Sequence, residues 1–321
     1  MLSTERGGLR VVSFGECMLE LQGTAFGTMQ QSCGGDTLNT AVYMARLGSR
    51  RGLQVDYATA LGDDPLSAGM LRRWQAEGIA TRLVRQLPGR LPGLYLIEVD
   101  GQGERRFSYW RDQAAARAYF DVPEGSTPLE QQANAIDALY FSGISLAILP
   151  AAGRSRLLKV AEQVRARGGM VAFDNNYRPR LWPTIDEARA AFTAATNTAT
   201  LALMTLDDEQ ALWGAADARA EEQLQRTLAL PCPEVVVKRG ALPTVVRCAG
   251  QPAVHVSTER VPQVVDTTAA GDSFAGAYIA CRLGGGTAVE SAATGNRMAA
   301  RVVQHPGALI ALALMADLMA C

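Results

Sequence analysis

The residues best suited to chemistry lie in one run, Asp266-Thr267-Thr268-Ala269-Ala270-Gly271-Asp272-Ser273-Phe274, which continues into Ala-Gly-Ala-Tyr-Ile-Ala. Residues 261–265 ahead of it read as a strand, and the apolar spacing behind it is helical. Small residues therefore stand where a loop turns into a helix N-terminus. Unpaired backbone N–H groups and the positive end of the helix dipole make such a place a site for an anion. Asp272 puts a carboxylate inside that site, where it repels a phosphate unless its task is to take a proton from an attacking hydroxyl. An anion cradle beside a base is what phosphoryl transfer from a nucleotide to an alcohol requires. The plainer role for Asp272 is that of a helix cap, contributing about 0.5–2 kcal/mol.

The remaining composition narrows the chemistry. A net charge of −1 over 321 residues offers no basic footprint for nucleic acid or an anionic membrane. The two histidines, His255 and His305, are too few for a His-based triad or a multi-His zinc site. Six cysteines (Cys17, Cys33, Cys232, Cys248, Cys281, Cys321) are scattered without a C-x-x-C pair, the pattern of reduced cytoplasmic thiols. The first residues lack the apolar core of a secretory signal, and the apolar run around residues 308–315 is too short to span a bilayer. A soluble, cytoplasmic protein is expected. Neither a Walker loop nor a G-x-G-x-x-G after the first strand is present, and Gly101-Gln102-Gly103 is a turn. Carboxylates, arginines and backbone amides must carry the reaction.

Those groups need a scaffold, and the periodicity supplies one. Strands are expected at residues 10–15, 55–61, 138–141, 170–173, 201–204, 235–238 and 244–248. Helices are expected at 41–47, 66–77, 151–167 and 185–195, followed by three helical segments starting near 271, 288 and 308. This alternation predicts an α/β fold, a mainly parallel sheet covered on both faces. Residues 18–33 and 92–110 break the rhythm as antiparallel ribbons, the second turning at Asp100-Gly101-Gln102-Gly103. Together they suggest a small β-sheet lid, spanning about residues 16–33 and 92–111, on one large domain.

The motifs resemble those of the PfkB (ribokinase-like) carbohydrate kinases. The C-terminal run is similar to their D-T-x-G-A-G-D signature, with Ala269 in place of the usual glycine. Gly34-Gly35-Asp36-Thr37-Leu38-Asn39-Thr40-Ala41 is similar to the N-terminal G-G-x-x-x-N-x-A. Gly15-Glu16-Cys17-Met18, Asp174-Asn175-Asn176-Tyr177-Arg178-Pro179, Thr205-Leu206-Asp207-Asp208-Glu209 and Gln304-His305-Pro306-Gly307-Ala308 resemble the branch that phosphorylates 2-keto-3-deoxygluconate. The resemblance covers essentially the whole chain.

It implies a ribokinase-like three-layer sandwich, ATP and Mg²⁺ as cofactors, and transfer of phosphate to the 6-hydroxyl of that sugar acid. Asp272 would be the base, with Ala269, Ala270 and Gly271 presenting N–H groups to the phosphoryl oxygens. Gly34, Gly35, Asp36 and Asn39 would hold substrate hydroxyls, and Tyr95 and Tyr109 would close over them from the lid. Arg111 and Arg178 would take the carboxylate, because a planar guanidinium matches it as lysine cannot. Lys238, Gly240, Asn176 and Asn296 fall on the nucleotide side. Asp208 would steer magnesium indirectly, although Thr205 and Asp208 stand where many members carry Asn and Glu, and an acidic helix start is its ordinary reading. An apolar lid pairs subunits in relatives, so a homo-oligomer is expected. Two alternatives stay open: a kinase of a neutral sugar such as fructose, and a catalytically silent sugar-acid sensor.

Overall fold

The structure is a computed structural model that describes residues 8–99, 105–214 and 219–318. Its first half runs β1 (Leu9–Phe14), β2 (Met18–Gly23), β3 (Met29–Gly34), α1 (Asp36–Gly48), β4 (Leu53–Leu61), α2 (Pro65–Ala76), β5 (Val84–Gln86), β6 (Leu94–Val99), β7 (Arg105–Trp110), α3 (Pro128–Gln132) and β8 (Ala138–Ser142). The second runs α4 (Gly143–Ile148), α5 (Ala151–Ala166), β9 (Met170–Asp174), α6 (Ile185–Thr198), β10 (Leu201–Thr205), α7 (Leu206–Trp213), α8 (Ala220–Leu228), β11 (Glu234–Arg239), β12 (Leu242–Cys248), β13 (Val254–Val256), α9 (Ala270–Leu283) and α10 (Ala288–Val302).

Nine strands form the central sheet in the order β13-β12-β11-β10-β9-β8-β1-β4-β5. All its pairings are parallel except those of β12 with β11 and β13. The strands are continuous apolar runs because helices cover both faces. Successive residues of β1 show this: Val12 and Phe14 join the core that includes Leu157 and Phe192 of α5 and α6. Val11 joins the opposite core with Leu38 of α1, Phe274 of α9 and Met298 of α10. The result is three layers, α/β/α.

Glycine allows α1 and α9 to approach closely. A Cβ on Gly276 of α9 would lie 2.7 Å from the Cβ of Tyr43 and 2.8 Å from the carbonyl oxygen of Thr40, both in α1. Only a missing side chain permits that contact, and it sets the N-terminal turns of α1 and α9 side by side.

The two ribbons join into a second sheet, ordered β3-β2-β6-β7, with antiparallel outer pairs and a parallel β2–β6 seam. In this register Glu20 stands opposite Ser32 on one side and Tyr95 on the other, and Tyr95 pairs with Tyr109. Leu19, Leu21, Leu94, Leu96 and Trp110 occupy the reverse face and line an apolar groove.

Other expectations shift. The turn at 100–103 lies outside the described residues. Helix α1 begins at Asp36, five residues before its apolar pattern, because Gly35 opens it. Residues 261–265 form no strand: Pro262 lacks a donor, and Val265 and Asp266 instead donate to the carbonyl of Val303. The helix expected near 308 is only a 3₁₀ turn at Leu312–Met315. Helices α7 and α8 are only 8 and 9 residues long, too short for their pattern to be read in advance. Among the described residues, no helix is long and apolar enough to cross a membrane.

Candidate active site

Helix α9 starts from Ala269, whose φ of 59° places it in the left-handed region. This residue turns the chain so that the first N–H groups of α9 face the end of α1. Ala270 N–H leans on the carbonyl of Thr267 at 3.3 Å, and Ser273 makes the first full helical bond, to Ala269, at 2.8 Å. Gly271 and Asp272, between them, have N–H groups with no intrahelical acceptor.

Asp272 is gripped from α1. Its Oδ2 accepts from Asn39 Nδ2 at 2.8 Å, and its carbonyl accepts from the Thr40 hydroxyl at 3.2 Å. Burial, then the nearby Asp36 carboxylate, push its carboxyl up to about 7; Asp174 adds to this, while Asn39 and Lys238 oppose it. A carboxylate poised there exchanges a proton at neutral pH, as a general base must. Asn39, expected on the substrate, thus holds Asp272 with its amide nitrogen. Its buried Oδ1 has no partner among the described residues and is open to a hydroxyl donor.

Asp36, at the start of α1, accepts from Ser142 Oγ at 2.6 Å and from Asn176 Nδ2 at 2.7 Å. Asn176 is itself in the left-handed region, φ 25°, with its N–H bonded to the side chains of Asp174 and Asn175. Its amide, expected on the nucleotide side, thus bonds to Asp36, which is expected to hold substrate hydroxyls. Gly34 and Gly35 line the approach. A Cβ on Gly35 would fall 2.2 Å from the carbonyl oxygen of Glu16, and one on Gly34 would fall 2.6 Å from the Tyr95 hydroxyl.

The smaller sheet, the expected lid, contributes a polar face. Tyr95 donates its hydroxyl to Glu20, which also accepts from Ser32 at 2.7 Å. The Tyr95 and Tyr109 rings stack with centroids 5.9 Å apart. Just beyond, Arg111 is paired with the buried Glu16, whose carboxyl is raised by burial against the opposing pull of Arg111. Arg111 Nε and Glu16 Oε1 are both buried without partners among the described residues. Arg178, across the cleft, is half exposed; it donates to the Tyr177 carbonyl at 2.8 Å and lies 3.5 Å from Asp208. Both arginines expected to bind a carboxylate thus already face one.

Of the residues expected on the nucleotide side, Gly240 turns β11 into β12 at φ 60° with open space around it, and Lys238 pairs with Asp174 at 2.7 Å. The Asn296 amide is fully engaged: it accepts from Thr244 at 2.8 Å and donates to the carbonyls of Val256 and Ser257 at 3.3 and 3.1 Å. Its side chain ties α10 to the end of β13 instead of facing an open cleft.

Magnesium is implied by the fold. Among the described residues no cluster of three or more metal-ligating side chains exists, which suits an ion that keeps its waters and leans on phosphates. Asp208 fits an indirect role: burial, then Asp174, raise its carboxyl, while Arg178, Lys238 and a backbone bond from Tyr177 oppose this. Asp208 would hold the hydrated ion, which supplies neutralisation of phosphate charge when bound.

Glu16, Glu20, Asp174 and Ser142 were not singled out as site residues. For Glu16, Ser142 and Asp174 the signal was a polar residue at or just past the C-terminal end of an apolar strand, where open α/β sheets bind ligands; Glu20, inside β2, carried no such signal.

Residues 9–313 match the pfkB family carbohydrate kinase, and the chain belongs to that family. It is 46% identical over 307 residues to the 2-dehydro-3-deoxygluconokinase of Dickeya dadantii (strain 3937), covering 95% of this chain and 98% of that protein. With the 2-dehydro-3-deoxygluconokinase of Escherichia coli K12 it shares 45% over 303 residues, 94% and 97% of the two chains. The crystal structure of a PfkB protein from Polaromonas sp. JS666 superimposes with a TM-score of 0.80 at 27% identity, covering 97% of this chain and 100% of that one. The fold is the ribokinase-like α/β sandwich, and the chain is a carbohydrate kinase.

Proposed function

We propose that this chain transfers the γ-phosphoryl group of ATP to the 6-hydroxyl of 2-keto-3-deoxygluconate, giving 2-keto-3-deoxy-6-phosphogluconate. The observation that carries this is the placement of Asp272, held by Asn39 at 2.8 Å between the open N–H groups of α9 and the polar residues of α1. Identity to two 2-dehydro-3-deoxygluconokinases over nearly the full chain supports the substrate.

Asp272 takes the proton of the 6-hydroxyl as that oxygen attacks phosphorus. Gly271 N–H and the start of α9 receive the charge on the phosphoryl oxygens, and removal of one such donor costs about 2.7–4 kcal/mol in other enzymes. The unpartnered Asn39 Oδ1 takes a substrate hydroxyl, while Asp36, fixed by Ser142 and Asn176, takes another. Arg111 and Arg178 receive the acid group through donors their own carboxylate partners leave unused, each charged bond contributing about 1.5–3 kcal/mol. Tyr95 and Tyr109 close from the lid and exclude water, which otherwise competes as acceptor. The backbone near Gly240 and the segment tied down by Asn296 shape the nucleotide site. The protein works in the cytoplasm as a homo-oligomer paired through the apolar lid face.

The test is initial rate with MgATP against 2-keto-3-deoxygluconate, fructose, ribose and gluconate in parallel. Turnover far greater with the keto-deoxy acid is expected. A preference for fructose or ribose would instead establish the second reading, a neutral-sugar kinase.

A further inference from the structure

Lys238 ends β11 and is only 9% exposed. Its ammonium donates to Asp174 Oδ2 at 2.7 Å, and Asp174 is only 4% exposed. Such a pair is commonly structural, but its position is not that of a simple pair. A Cβ placed on Gly271 would meet a single neighbour within 4 Å, the Lys238 nitrogen at 3.5 Å. The ammonium therefore lies directly beside the backbone that opens α9, next to the positive end of that helix. Asp174 offsets part of this positive charge, while the other donors of the ammonium are left without an acceptor among the described residues. An ammonium carries three donors, and among the described residues Asp174 is its one hydrogen-bond acceptor.

We propose that Lys238 is a catalytic residue: its ammonium, steered by Asp174, bridges to an equatorial oxygen of the transferring phosphoryl group beside the Gly271 N–H. This rests on the kinase reading above. In the step, the bond from the sugar oxygen to phosphorus forms as the bond from phosphorus to the bridging oxygen of ADP breaks. The leaving electron pair stays on ADP, the hydroxyl proton passes to Asp272, and Lys238 keeps all its protons. Its contribution is charge placed where charge moves. Asp174 is a positioning residue, keeping the ammonium aimed along the floor of the site while the anion is absent.

The test compares wild type, Lys238→Met and the double variant Asp174→Asn/Lys238→Met, which leaves no uncompensated buried carboxylate. The measurements are kcat, KM for ATP and for sugar, and affinity for ADP with aluminium fluoride in the presence of sugar, a mimic of the phosphoryl in flight. Both variants are expected to lose about 10²–10³-fold in kcat. KM for ATP should move less than about fivefold, and the tight binding of the aluminium fluoride complex should fall by a factor similar to that in kcat. A double variant that folds and retains kcat within about threefold of wild type overturns the proposal. So does a kcat loss with undiminished aluminium fluoride affinity, which marks a merely structural pair. Wild type is assayed with each sugar first. If it prefers a neutral sugar, the substrate reading fails while the ratio between variants still reports on Lys238; if it phosphorylates none, the kinase reading and this inference fall together.

Discussion

As the proposed base, Asp272 meets two opposing demands, because the burial that brings its carboxyl to about 7 also makes its charged form costly. Its folded-state value of about 7 lies above the ordinary 3.8. The folded protein thus binds the extra proton between those values, and the associated stability is full below about pH 4 and lost as pH rises through about 7. Asp272→Asn is expected to abolish turnover nearly completely while ATP binding persists. It should also raise stability by about 1–3 kcal/mol at pH 8 and by less at pH 4, as urea unfolding at the two pH values would read. In the wild type, kcat/KM should climb with pH through about 7 and then level off. Asn39→Ala removes the bond favouring the charged form, so this limb should move to higher pH; an unmoved limb would mean another group titrates. Arg111→Met should cost about 3–5 kcal/mol of stability, because it strands the buried Glu16. Adding Glu16→Gln should restore folding but leave KM for the sugar acid about tenfold or more above wild type. A double variant with unchanged KM would remove Arg111 from the substrate.

At the level of elements, two small residues place α9. Ala269 occupies a left-handed conformation that costs an L-residue about 1–2 kcal/mol. Glycine is free of that penalty but loses more chain entropy on folding, so Ala269→Gly should stabilise by about 0.5–1 kcal/mol in denaturant titration. This is the position where the resembled signature has glycine, and a φ of 59° suits that residue. Gly276 acts through contact, not conformation. Gly276→Val forces α1 and α9 apart against Thr40 and Tyr43, at about 1–3 kcal/mol. Because Asn39 and Asp272 meet across the same seam, kcat should fall as well. Normal kcat in a destabilised variant would show that the base does not depend on that packing.

Across the whole molecule, the lid sheet has two unlike faces in one register. Glu20, Tyr95 and Tyr109 share the polar face, while Leu21, Leu94, Leu96 and Trp110 line the apolar groove. Water penalises such a groove unless another surface covers it. The expected occupant is a second copy of the chain. Leu96→Asp/Trp110→Ser should shift the mass seen by light scattering to that of one chain and lower kcat, since lid closure loses its support. An unaltered mass would place the oligomer contact elsewhere.

What the sequence determined by itself was local. Alternating apolar runs of strand and helix length dictated the sheet layered between helices, and the small residues before Asp272 marked an anion site at a helix start. Two motifs separated by more than two hundred residues named the family, because each encodes its own turn into a helix. The C-terminal 3₁₀ turn and the irregular 261–265 segment escaped that reading, since short apolar stretches carry no period long enough to distinguish helix, strand and coil. Only the tertiary structure decided which charges meet. Asn39 finds Asp272 across 233 positions, Arg111 finds Glu16 across 95, and Lys238 finds Asp174 across 64. Those pairings depend on strand order and on how closely α1 approaches α9. Periodicity reports which face of an element is buried, but not which other element it is buried against.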